Sequence, residues 1–142
     1  MKSKLIAGVL ISGLGFAAHA MEPAKVQDGM LVDQAGLTLY IFDKDAPSKS
    51  NCNGGCATVW PPLVASAEAS ASGKFNIVAR DDGSRQWTYQ DKPLYRYAAD
   101  QKPGDMTGEN SGGVWHTVRP GRSAEAAKPA RASVAVPSYG SY

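Results

Sequence analysis

The sequence predicts an all-β fold: a small antiparallel domain built from two pseudo-symmetric β repeats with long loops. Three observations predict it. The stretch Gly36–Asp45 recurs as Asp91–Asp100, so that Leu39/Leu94, Tyr40/Tyr95, the aromatics Phe42/Tyr97 and Asp45/Asp100 coincide. The register survives a long loop, because Trp60 follows Tyr40 by 20 residues and Trp115 follows Tyr95 by 20. Six or seven short apolar runs separated by Gly, Pro, Asn and Asp fall within about 100 residues, a strand-and-turn rhythm.

The elements follow in order. Lys2 and Lys4 precede an apolar run from Leu5 to Ala18, and Ala18-His-Ala20 supplies small residues for cleavage. Residues 1–20 therefore predict a signal peptide, too short for a comfortable membrane span, and an exported, soluble product. Residues 21–28 read as a polar lead-in. Met30–Val32 and Leu37–Phe42 read as strands around an Asp33–Gly36 turn. Leu37, Leu39 and Ile41 alternate with Thr38, Tyr40 and Phe42, so the second strand carries apolar bulk on both faces.

Asp43–Cys56 reads as a polar loop, and Ala57–Trp60 is ambiguous. The small, polar residues 65–73 read as a linker between copies, with weak helical tendency from its alanines. Phe75–Ala79 and Arg85–Tyr89 flank Asp81-Asp-Gly-Ser84, a hairpin signal. Gln90–Lys92 turns and Pro93–Tyr97 returns, with Pro93 at a strand start or edge. A Gly-rich loop, Lys102–Gly113, leads to a closing strand, Val114–Val118. The Ala/Pro/Ser/Arg-rich segment 121–142 lacks apolar bulk and reads as a disordered tail. The domain is thus 21–120, with repeat one at about 26–65 and repeat two at about 75–118.

Two copies of Tyr-x-aromatic-x-x-Asp, with Cys52, Cys56 and Trp60-Pro-Pro after the first, resemble the secreted repeat family. Its members are bacterial envelope proteins, often described as predicted lipoproteins with a Yx(FWY)xxD motif. The resemblance covers roughly residues 26–118 and implies export without implying an activity. Many relatives carry a lipidated cysteine at the cleavage boundary. Here Met21 stands there, which predicts a periplasmic or secreted protein without a lipid anchor.

Charge excludes one class of partner. Removal of residues 1–20 takes two of the 15 Lys and Arg, leaving 13 against 13 Asp and Glu. Neither a nucleic-acid face nor a polybasic membrane patch is present in such a chain.

Cys52-Asn-Gly-Gly-Cys56 is the sharpest chemical feature. These are the two cysteines of an exported chain, which favours a disulfide. So short a ring stabilises by roughly 2 kcal/mol. A thiol oxidoreductase would want Cys-x-x-Cys at a helix start, and haem attachment fails on spacing. A soft-metal site for Cu(I) or Zn, or thiol redox chemistry, using Cys52, Cys56 and His116 is the alternative.

Tyr40/Asp45 and Tyr95/Asp100 could form polar sites or Ca²⁺ ligands, but the spacing is not that of an EF-hand. Their recurrence favours a structural role, with the Asp fixing its turn and the Tyr burying its ring. The three tryptophans and the tyrosines could line a sugar- or peptide-binding face, but core is favoured: Trp60 and Trp115 occupy equivalent positions, and Trp87 is the better candidate for an exposed contact. The loop 102–113 lacks Gly-Lys-Ser/Thr, and no nucleophile–base pattern occurs. The sequence therefore predicts a non-enzymatic, cofactor-free binding or scaffold module for an envelope partner.

Overall fold

The computed structural model describes residues 21–121. The expected signal peptide and nearly all of the expected tail lie outside the described residues. Among the described residues seven strands form: β1 Ala24–Gln27, β2 Met30–Asp33, β3 Tyr40–Phe42, β4 Phe75–Ala79, β5 Arg85–Tyr89, β6 Lys92–Pro93 and β7 Trp115–Thr117. One short helix, α1 (Gly55–Val59), and a 3-10 turn at Ser111–Gly113 interrupt the loops. All strand pairs are antiparallel, in sheets β1-β2, β3-β7 and β4-β5-β6.

The fold is all-β, but several boundaries differ from those the sequence suggests. Residues 24–27 are a strand rather than a lead-in, because Asp28-Gly29 makes a two-residue hairpin loop. Both have positive φ (50° and 76°), and Gln27 faces Met30 across the turn. The strand expected over 37–42 is regular only at Tyr40–Phe42, although Thr38 bridges Val32 and the Leu39 amide bonds the Leu31 carbonyl. The ambiguous segment before Trp60 forms α1. The linker forms no helix. Val64 and Ala65 instead run beside β5, and Arg85 donates to the carbonyls of Ser66, Ala67 and Ala69. Without that guanidinium the orphaned carbonyls would have to turn to water.

The two copies are interleaved rather than side by side. Tyr40 and Tyr95 exchange both backbone hydrogen bonds, at 2.8 and 2.9 Å, where the motif strands meet. Each closing segment then pairs with the other copy's motif strand. Asp43 N–H donates to the Val114 carbonyl and Ala98 N–H to that of Val59. Val118 likewise donates to Leu39, and Leu63 to Leu94. Each of these bonds has a counterpart 55 residues away, the spacing of Tyr40 and Tyr95.

Two cores result from the alternation along the motif strands. Leu39 and Leu94 turn into one, with Leu31, Leu63, Phe75, Trp87 and Val118. Tyr40 and Tyr95 turn into the other, with Cys52, Trp60 and Trp115. All four motif residues are fully buried. Trp87 is 8% exposed and meets Phe75 edge-on, so it is a core residue and not the exposed contact that its hairpin position suggested.

Candidate functional site

The repeat motif assembles one centre in the second core. Its aromatic side chains form a four-ring stack, Tyr97–Trp60–Trp115–Phe42. Trp60 and Trp115 lie 3.9 Å apart and 5° from parallel, and the outer rings stack at 4.3 Å on either side. Tyr40 meets Trp60 edge-on, and Tyr95 meets Trp115 edge-on. Offset and edge contacts of this kind add to ordinary burial. Gly108 lets the loop of the second copy close over the stack. A Cβ there would lie 2.6 Å from the Trp60 ring, so no side chain fits.

The polar half of the motif crosses between copies. Tyr40 OH donates to Asp100 Oδ2 at 2.5 Å, and Tyr95 OH donates to Asp45 Oδ2 at 2.7 Å. Each carboxylate uses its other oxygen to fix its own loop. Asp100 Oδ1 accepts from the Thr107 amide and hydroxyl, and Asp45 Oδ1 accepts from the Asn51 amide. A Tyr from one repeat is therefore tied to a turn of the other, twice.

Burial, reinforced by the neighbouring carboxylates, raises both phenols well above the ordinary tyrosine value of 10.0. Burial also raises Asp45, against the opposing pull of Asn51, Tyr95 and Arg80. The linkage has a definite sign. Folding holds both phenolic protons more tightly than the unfolded chain does, so this contribution is whole below about pH 10 and is lost above it. Each tyrosine then costs about 1.4 kcal/mol per pH unit. Alkaline titration is expected to show Tyr40 and Tyr95 withheld from ionisation until the fold melts, read by tyrosinate absorbance beside circular dichroism. Smooth ionisation of both in the folded protein would contradict the burial.

Around Tyr95 the site carries a group that the sequence did not disclose. Arg80 is 6% exposed at the end of the β4–β5 hairpin. Its Nη1 donates to Ser50 Oγ and Gln86 Oε1, and its Nη2 donates to the Cys52 carbonyl at 2.6 Å. Ser50 in turn bonds Tyr95 OH at 2.7 Å. An Arg next to Asp81-Asp82-Gly83 reads as a solvated turn residue, and no local pattern distinguishes it from one. Asp33 is similarly buried, accepting from the Ala35 and Leu37 amides and facing Arg96 Nε at 2.6 Å.

Cys52 and Cys56 are joined in a disulfide. His116, in β7, directs Nε2 to Asp43 Oδ2 at 2.8 Å, with Glu109 3.8 Å from its Nδ1. Among the described residues no group of three His, Cys, Asp or Glu is arranged to hold a metal ion. In this structure the sulfurs of Cys52 and Cys56 are bonded to each other, and His116 directs its ring to Asp43. Beside the motif, a cleft of about 340 Å³ runs between the first motif loop and the β5–β6 turn. Phe42, Asp43, Pro47, Asp91 and Lys92 line it. No helix among the described residues is long and apolar enough to cross a membrane.

Comparison with curated proteins and with solved structures returns no match. The family model described as a secreted repeat of unknown function matches twice, over residues 23–64 and 76–119. The two matches cover most of the chain and meet at the interleaved centre. The chain belongs to the family of secreted repeats of unknown function.

Proposed function

We propose that this protein is a non-enzymatic binding or scaffold module of the bacterial envelope, working in the periplasm or outside the cell. The reciprocal Tyr–Asp bonds carry this reading. The motif's phenols and carboxylates already satisfy one another across the two repeats, so they serve the scaffold rather than a substrate. The partner face is the cleft beside Phe42, where the exposed carboxylates of Asp43 and Asp91 flank a half-buried ring.

The test separates stability from binding. Tyr40→Phe is expected to destabilise by about 1.5–3 kcal/mol, the worth of a hydrogen bond to a charged group. Asp43→Asn with Asp91→Asn is expected to cost far less stability than Tyr40→Phe, the His116 contact of Asp43 being exposed, while weakening chemical cross-linking to an envelope component. Loss of that partner in Tyr40→Phe at unchanged stability would make the motif a binding site and overturn the reading.

A further inference from the structure

We propose that Cys52–Cys56 is an exchangeable disulfide, reduced by a dithiol protein that attacks Cys56 and releases as a thiolate Cys52, the residue whose backbone carbonyl Arg80 holds. The inference stands apart from the binding role above. It rests on an asymmetry between the two sulfur-bearing residues and on a buried cation.

Cys52 is fully buried in the aromatic core, whereas Cys56, in the first turn of α1, is partly exposed. An incoming thiolate therefore reaches Cys56. In thiol–disulfide exchange the rate and direction depend on how well the leaving sulfur carries negative charge. The residue that leaves is the one whose carbonyl lies on the Arg80 guanidinium, 2.6 Å from Nη2. Arg80 Nε is buried without a hydrogen-bond partner, and its nearest ion-pair contact is Asp82 at 4.0 Å. A buried guanidinium with an unused donor is a place where new negative charge is welcome.

The exchange balances without any further reagent. The partner's thiolate bonds to Cys56 Sγ as the Cys52–Cys56 bond breaks, and Cys52 leaves with the electron pair. The partner's second thiolate then attacks its own sulfur in the mixed disulfide and frees Cys56. The partner ends as a disulfide. Cys52 and Cys56 gain two electrons and, after protonation from solvent, two protons.

The ring closed by the bond spans only a separation of four residues, so opening it relaxes little of the chain. Its effect is local. α1 carries Trp60 into the stack, and the Trp60 amide bonds the Cys56 carbonyl. Reduction therefore loosens the first-repeat end of the aromatic centre while the interleaved strands hold.

The test uses the full chain in buffers of reduced and oxidised dithiothreitol. Thiols are counted by alkylation and mass, and folding is followed by near-ultraviolet circular dichroism. Both thiols are expected to appear in molecules that remain folded. Arg80→Gln is expected to require about a tenfold stronger reducing ratio, with Arg80→Lys in between. If Arg80→Gln does not fold, Arg80→Lys and the wild-type titration still decide. With oxidised glutathione, Cys52→Ser is expected to form its adduct at Cys56 at least about tenfold faster than Cys56→Ser does at Cys52. Thiols appearing only in unfolded molecules, unchanged ratios in the folded Arg80 variants, or equal adduct rates would each overturn the proposal.

Discussion

Trp60→Ala is expected to lower stability by about 3–5 kcal/mol, and Trp115→Ala by a similar amount. Both indoles are 5% exposed, and each is sandwiched between two rings, so truncation leaves a cavity that flat neighbours cannot fill. Loss of either also removes the edge contact that positions a motif tyrosine. In a domain of this size each kcal/mol lowers the melting temperature by about 4–8 °C. Val64→Ala, at an exposed position in the same repeat, is expected to change stability by less than about 0.5 kcal/mol. Denaturant titration reads both. A Trp60→Ala variant as stable as the Val64→Ala control would mean that the stack is not the core described here.

A chain reduced to residues 21–66 is expected not to fold as a monomer. The loss is larger than a deleted interface would suggest, because the strand partners of β3 come from the second repeat. Tyr40 bonds Tyr95, Asp43 bonds Val114, and Leu39 receives the amide of Val118, all from the second repeat. β3 pairs with β7 on one side and meets Tyr95 through Tyr40 on the other, and both partners belong to the second repeat. Cutting there strips one motif strand of its partners and exposes both Trp faces at once. Mixing with a chain of residues 67–121 is expected to restore the near-ultraviolet signal of the aromatic stack. Cooperative unfolding of residues 21–66 as a monomer would contradict the interleaving.

How much of this was legible in the sequence depends on the range of the interactions. The repeat announces itself because Tyr40/Tyr95, Asp45/Asp100 and Trp60/Trp115 must keep their spacing for two copies to build one centre. Hairpins with Asp-Gly turns carry local signals, and the Asp28-Gly29 turn was as plain as Asp82-Gly83 once β1 is known to precede it. What sequence could not disclose was which Asp serves which Tyr. The spacing suggests Tyr40 with Asp45, whereas the structure pairs Tyr40 with Asp100, because the motif strands meet antiparallel and each loop folds over the opposite copy. Trp87 was misleading, and Arg80 inconspicuous, for the same reason. Their burial comes from loops far away in the chain: Ser50, Cys52 and Asn53 on Arg80, and the strand through Leu63 beside Trp87.

The central claim is that the family motif is a cross-repeat clasp. A double-mutant cycle of Tyr40→Phe with Asp100→Ala, followed by denaturant unfolding, measures it most directly. The clasp predicts that the double variant loses less than the sum of the two single losses, by a coupling energy of about 1–3 kcal/mol, although Asp100→Ala also gives up the Thr107 bonds. Strictly additive losses would contradict it and leave Tyr40 and Asp100 as two unrelated buried residues.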